Sequence, residues 1–265
     1  MGARTTSVNL IDLDFGKVSK RIQNFISSYV FKAASNGLII GLSGGLDSSV
    51  VLKLCVNALG TSRVLGVVMP SDTTPKEDTD HAIELAKQVE IEYHIIDISA
   101  LIDKYEQALP KDKRARGNLM ARIRMNILYY YAGVNSYLVA GTSDKSELCL
   151  GYFTKFGDGA ADIMPIADLY KTQLRVLAKH LGIPNAIVEK KSSPRLWDNH
   201  LAEEEIGMDY DMVDPILHLL VDRKMSLNDV ARKIKIPTNQ VKKINVLMKR
   251  NSHKRTPIPI AKLKS

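Results

Sequence analysis

The sequence predicts an α/β fold in three layers, a parallel sheet flanked by helices on both faces, followed by a helical C-terminal extension. Three observations carry this. Short apolar runs at 38–42, 64–69, 93–97 and 137–141 alternate with stretches of helical periodicity. The connections are long enough for the crossover helices that parallel strands require. Beyond about residue 185 clear strands cease while helical spacing continues. The chain reads as one unit over 1–265, with an α/β core at about 14–185. A mobile loop and the helical extension fill about 186–265.

Taken in order, Val18, Ile22, Phe25, Ile26, Tyr29 and Val30 recur at helical spacing and open the chain with an amphipathic helix. The first strand runs into Gly41, Leu42, Ser43, Gly44, Gly45, Leu46, Asp47 and Ser48, after which Val50, Val51, Leu52 and Leu54 begin a helix. The glycines let backbone approach a ligand closely, and the amides of the first helical turn suit phosphate. Asp47 would repel a bare phosphate but fits a divalent cation held between carboxylate and phosphate oxygens. This implies a Mg-nucleotide site. The plainer alternative is a glycine turn with Asp47 and Ser48 capping a core helix. The loop is neither a Walker loop nor a Gly-x-Gly-x-x-Gly fingerprint.

The next strand, 64–69, ends at Pro70, and a helix is expected over about 76–89. After the strand at 93–97, a strongly helical segment covers 118–131. The strand at 137–141 then leads into Thr142-Ser-Asp-Lys-Ser-Glu147, a second strand-to-helix junction. Thr142 can hydrogen-bond a nucleotide. Asp47 and Glu147 could share one Mg²⁺, although Glu147 is equally at home as part of a helix cap. The stretch 151–162 interleaves glycines and two phenylalanines with Lys155, Asp158 and Asp162, which suits a stacked ring with gripped substituents. Lys171 opens another helix against the dipole preference, which a phosphate partner would explain. Residues 190–199 look like a mobile loop. The segment 226–244 imitates a helix-turn-helix, so a DNA-binding regulator is a competing class.

Composition sets outer bounds. The 265 residues are 45% hydrophobic and 25% charged, ordinary for a globular protein. No apolar run reaches the roughly 18 residues of a membrane span, so a cytoplasmic enzyme is expected. The net charge of +8 fits nucleic acid or a phosphate-rich small substrate equally. Cys55 and Cys149 read as core residues, and they form neither a disulfide framework nor the catalytic pair of a thiolating enzyme.

Six stretches appear in order: Ser-Gly-Gly-x-Asp-Ser at 43–48, Ala121-Arg-Ile-Arg-Met125, Gly-Thr-Ser-Asp-Lys-Ser-Glu at 141–147, Gly-Tyr-Phe-Thr-Lys-Phe-Gly-Asp-Gly at 151–159, Lys-Thr-Gln-Leu-Arg at 171–175, and His253-Lys-Arg255. Together they closely resemble the ammonia-dependent NAD synthetase family, within the N-type ATP pyrophosphatases, over nearly the whole chain. The resemblance implies a Rossmann-like sheet and ATP-dependent amidation of deamido-NAD by ammonia through an adenylated carboxylate, the last step of NAD biosynthesis. It implies that residues 41–48, Thr142, Lys171 and Ser193 hold ATP, and that Asp47 and Glu147 ligate Mg²⁺. Arg122, Lys155, Asp162, His253 and Lys254 would bind deamido-NAD, with Asp47, Lys171 and Asp162 carrying the chemistry. It also implies a homodimer with the site at the interface, part of the helical surface at 118–133 being buried there. Members usually follow Leu-Trp with a Gly-Gln-Thr-Asp-Glu type stretch. Here Leu196-Trp197 is followed by Asp198-Asn-His-Leu-Ala-Glu-Glu-Glu205, which alters the lid over ATP. A separate amidase domain, as glutamine-dependent relatives carry, is not expected.

Overall fold

The computed structural model describes residues 8–197 and 200–263, so Asp198 and Asn199 of the departing stretch lie outside the described residues. The order of elements is helix α1 (Phe15–Lys32), strand β1 (Gly37–Leu42), α2 (Leu46–Leu59), β2 (Val64–Val68), α3 (Lys76–Gln88), β3 (Glu92–Ile95), α4 (Ser99–Glu106), α5 (Lys113–Asn135) and β4 (Tyr137–Val139). Then come α6 (Lys145–Leu150), α7 (Lys171–His180), α8 (Asn185–Val188), α9 (Ala202–Ile206), α10 (Tyr210–Leu217), α11 (Leu227–Ile234) and α12 (Thr238–Arg250).

The four strands form one parallel sheet in the order β3-β2-β1-β4, with Leu38 facing Val64 on one side and Leu138 on the other. Consecutive β1 residues point to opposite faces, as strand geometry requires. Leu38 and Ile40 join Val50, Leu54, Leu174 and Leu177 in the core under α1, α2, α3, α7 and α8. Ile39 joins Val67, Ile102, Met120 and Ile123 under α4 and α5. Burial on both sides explains why the strands read as continuous apolar runs. A third core of Leu150, Tyr170, Tyr210, Val213, Ile216, Val230, Ile234, Val241 and Ile244 knits α6 and α9–α12 into the helical extension.

The chain leaves β1 for β2 and β3 on one side, and only later adds β4 on the other. The order therefore reverses between β1 and β4, the place where sheets of this kind open a ligand crevice beyond their C-terminal ends. Several boundaries move by a few residues from the sequence reading; β3, for one, runs Glu92–Ile95 rather than 93–97. Helix α5 begins earlier, at Lys113, because the Asp112 carboxylate accepts from the Ala115 amide at 2.7 Å as an N-cap. Strand β4 ends at Val139, whose amide donates to the Asp162 carboxylate at 2.7 Å, and Ala140 continues as an isolated bridge to Ile163. The helix-turn-helix imitation is a packing unit: Val230, Ala231, Ile234, Val241 and Ile244 are all spent on the third core.

The phosphate-type loop is built to one backbone path. Gly44 adopts φ +70°, and a Cβ there would stand 1.9 Å from the Asp78 carbonyl oxygen of α3. Gly44→Ala is therefore expected to cost on the order of 2 kcal/mol or more, from left-handed backbone strain plus the clash. Thermal unfolding should show a drop of roughly 4–8 °C, and an unchanged midpoint would contradict this close approach.

Candidate functional site

The loop after β1 is shaped by its serines. The Ser43 amide donates to Ser48 Oγ at 3.3 Å, the two hydroxyls lie 3.0 Å apart, and Ser49 Oγ donates to the Gly45 carbonyl at 2.8 Å. No side chain caps α2, so the amides of its first turn stay available to an anion. Asp47 stands in that turn and faces the junction after β4. There Asp144 and Glu147 form a reciprocal capping box, Asp144 Oδ1 accepting from the Glu147 amide at 2.8 Å. Glu147 is therefore part of a helix cap, and its carboxylate also faces Asp47 and Asp144.

Lys171 meets these carboxylates from α7. Its fully buried Nζ lies 2.7 Å from Asp47 Oδ1, 3.0 Å from Glu147 Oε1 and 3.1 Å from Asp144 Oδ2. Three carboxylates thus surround the cation at this helix start. Its backbone is also pinned. The Lys171 amide donates to Ser146 Oγ at 2.9 Å, Ser146 Oγ donates to Asp214 Oδ1 at 2.6 Å, and the Thr172 amide donates to Asp214 Oδ2 at 2.8 Å. Asp214, on α10, thus ties the helical extension to the cluster.

The electrostatics follow from this geometry. Burial draws Lys171 down, yet Asp144, Asp47 and Glu147 outweigh it and hold the ammonium well above its ordinary value. Burial raises Asp144 to about 7 against the pull of Lys171, with Asp47 and Asp214 adding to the rise. Burial, helped by Asp144 and Asp47, likewise lifts Glu147 well above the carboxylate range, again opposed by Lys171. The carboxylate oxygens of Asp47, Asp144 and Glu147 lie within 4.8 Å of one another. They are hard donors of the kind Mg²⁺ takes, and with all three ionised they would outnumber the one ammonium by two negative charges, which a divalent cation would balance. The residues fit that ion. Sequence reasoning supplied Asp47 and Glu147 and missed Asp144, whose capping pattern was the available signal.

Across the crevice, the stretch 151–159 packs on α5 and on the end of α12. Thr154 Oγ1 donates to Asn118 Oδ1 at 2.7 Å, and Arg122 Nη2 donates to the Lys155 carbonyl at 3.3 Å. Lys155 Nζ reaches the His253 carbonyl at 2.9 Å, while Lys254 Nζ bonds the carbonyls of Gly151 at 2.8 Å and Phe153 at 2.7 Å. Arg122, Lys155, His253 and Lys254 are thereby gathered into one patch. Asp162 is exposed at the end of β4, its other oxygen 3.5 Å from the Tyr129 hydroxyl. Thr142 is half-buried at its junction, and its hydroxyl makes no hydrogen bond among the described residues. The loop expected to be mobile is tied down at Asp78, which is buried and takes both Lys190 and the Arg195 Nε, the latter at 2.8 Å. Ser193 spends its hydroxyl on the His200 carbonyl. Nothing in the spacing of the sequence signalled the Asp78 anchor.

The profile of the family described as NAD synthase matches residues 18–258. The NH(3)-dependent NAD(+) synthetase of Hyperthermus butylicus is 46% identical over 256 residues, which cover 96% of this chain and 93% of that one. An NMN synthetase structure from Francisella tularensis has a TM-score of 0.84 at 32% identity, covering 94% of this chain and 99% of its own. An NH3-dependent NAD synthetase from Campylobacter jejuni gives 0.81 at 31%, covering 94% and 100%.

Asp144 makes the cluster pH-sensitive in a definite direction. Between its unfolded value of about 3.9 and its folded value of about 7, the folded chain keeps a proton that the unfolded chain has released. Its contribution to stability is complete below the first value and is lost as pH rises through the second. Asp144→Asn is expected to flatten the fall in melting temperature between about pH 4 and pH 7 relative to the parent chain. Parallel pH profiles of the two proteins would contradict it.

Proposed function

The chain belongs to the NAD synthase family, and from that premise we propose how its residues divide the work of the reaction. That reaction is the ATP-dependent amidation of deamido-NAD to NAD with ammonia. The observation that carries the division of roles is the convergence of Asp47, Asp144, Glu147 and Lys171 between the ends of β1 and β4.

A nicotinate carboxylate is a poor electrophile because its leaving group would be oxide or hydroxide. Attack of a carboxylate oxygen on the α-phosphorus of ATP forms a mixed anhydride and releases pyrophosphate. Ammonia then adds to the activated carbonyl, AMP departs with the bonding pair, and a proton is lost to leave the amide. No protein nucleophile is needed. The amides and hydroxyls of residues 41–48 hold the phosphates, with Thr142 and Ser193 completing the ATP site. Asp47, Asp144 and Glu147 hold Mg²⁺, which supplies charge neutralisation at the phosphates when bound. Lys171 neutralises charge gathering on departing pyrophosphate. Arg122, Lys155, Asp162, His253 and Lys254 grip deamido-NAD, and Asp162 takes the proton from incoming ammonium.

A second copy of the chain covers the exposed side of α5, where Tyr130 is 72% and Val134 67% exposed, and the enzyme works in the cytoplasm. No helix among the described residues is long and apolar enough to cross a membrane. The hairpin's apolar faces pack into the third core, and the segment after it bonds the carbonyls of Gly151 and Phe153, which supports a structural part in the acceptor patch over DNA binding.

Deamido-NAD, ATP, Mg²⁺ and ammonium should yield NAD with stoichiometric AMP and pyrophosphate, and glutamine alone should not sustain turnover. AMP without NAD would keep the ATP site and reassign the acceptor. Because one structural relative is an NMN synthetase, nicotinate mononucleotide belongs in the same assay, and a higher kcat/KM for it would make it the preferred acceptor. For Asp162, the expected signature is an Asp162→Asn variant whose kcat falls most at low pH, where ammonium dominates. Full kcat across pH would remove Asp162 from proton transfer.

A further inference from the structure

Arg124 is a half-buried arginine that forms no ion pair among the described residues, beside the end of β2. Its Nε donates to the Met69 carbonyl, just past the end of β2, at 3.0 Å. Among the described residues its terminal nitrogens donate to nothing, it forms no ion pair, and neither Nη is sealed from solvent. Comparably shielded arginines behave otherwise: Arg116 answers Asp72 and Glu106, Arg175 answers Asp211 and Glu203, and Arg195 answers Asp78. Burial pulls the Arg124 guanidinium down to about 10, partly offset by Asp158 acting from beyond contact, so it stays charged at neutral pH.

Its position follows from helical spacing. Arg116, Met120, Arg124 and Leu128 share one face of α5. Leu128 packs beside Gly41 at the end of β1, a Gly41 Cβ standing 3.4 Å from Leu128 Cδ1. Arg124 comes one turn beyond, at the end of β2, and Arg116 reaches the following loop at Asp72, 2.7 Å away. On the neighbouring side of α5, Ala121 packs against Gly157 of the 151–159 stretch, a Cβ at Gly157 standing 3.0 Å away. Arg124 therefore stands where the nucleotide loops meet the acceptor patch, with Nε used as an anchor and two N–H₂ groups left as a fixed fork for an oxyanion.

We propose that Arg124 is a further catalytic residue, its Nη groups bridging the α-phosphate oxygen of ATP and the carboxylate oxygen of the acceptor as the acyl-phosphate bond forms. This rests on the amidation reading above. Charge at that junction is greatest in transit, so the fork contributes to kcat more than to binding of either substrate.

The test compares Arg124→Lys and Arg124→Gln with the parent enzyme, which must first convert deamido-NAD to NAD with AMP and pyrophosphate. If the parent does not, the amidation reading fails and not this residue alone. The expected result is a fall in kcat of about 10²–10³-fold for Arg124→Gln and a smaller but clear fall for Arg124→Lys. The KM values for ATP and deamido-NAD should change little, and thermal midpoints should stay within a few degrees. An Arg124→Ala variant should regain activity with added guanidinium without any rise in midpoint. A kcat within threefold of the parent would overturn the proposal. So would a loss confined to the KM of one substrate, which assigns the guanidinium to that substrate alone. A loss in all variants that tracks lowered midpoints and resists guanidinium would reduce Arg124 to an anchor for Met69.

Discussion

A buried ammonium held by three carboxylates is the interaction on which the rest of this structure depends. Lys171 is fully enclosed, and isolated burial of its charge would be prohibitive. Asp47 comes from the loop after β1, Asp144 and Glu147 from the junction after β4, and Lys171 from α7. The cluster therefore fixes the distance between the two strand ends that bound the crevice. Through Ser146 and Asp214 it also draws α10, and with it the whole helical extension, onto the α/β core. Burial raises the carboxyls of Asp144 and Glu147 beside this ammonium, so the stability of the cluster and its capacity for a divalent cation rest on the same atoms.

The helical extension has a second attachment on the acceptor side. Lys254 and Asn251 bond the carbonyls of residues 150–153, and Lys155 bonds His253 in return. Glycines in this stretch allow the approach: at Gly151, where φ is +67°, a Cβ would stand 2.3 Å from Asn251 Cβ. The basic C-terminal end is thus brought onto the 151–155 stretch, into one patch with Arg122 and Lys155.

The loop at 190–197 obeys the same logic at the opposite rim. Asp78 is buried between Lys190 and Arg195, and its backbone carbonyl presses on Gly44. The loop and the turn after β1 therefore share one residue as their common support, which links the position of Ser193 to the shape of residues 43–45.

Local pattern determined much of this protein. The apolar runs fixed the parallel sheet, because strands covered on both faces have no polar side to alternate with. The Ser-Gly-Gly-x-Asp-Ser turn, Glu147 and Lys171 were legible because glycine, carboxylate and helix-start cation each sit where backbone chemistry makes them unusual. Tertiary structure alone decided what each of them touches. Asp144 caps α6 and is also a partner of Lys171. Asp78, in the first turn of α3, anchors a loop more than a hundred residues away in sequence. Arg124 differs from Arg122 by two positions, yet α5 turns one toward the Lys155 carbonyl and the other toward Met69. Sequence records which groups are available and the periodicity that places them on an element. Which carboxylate meets which cation depends on how separate elements pack, and burial then gives those meetings their strength.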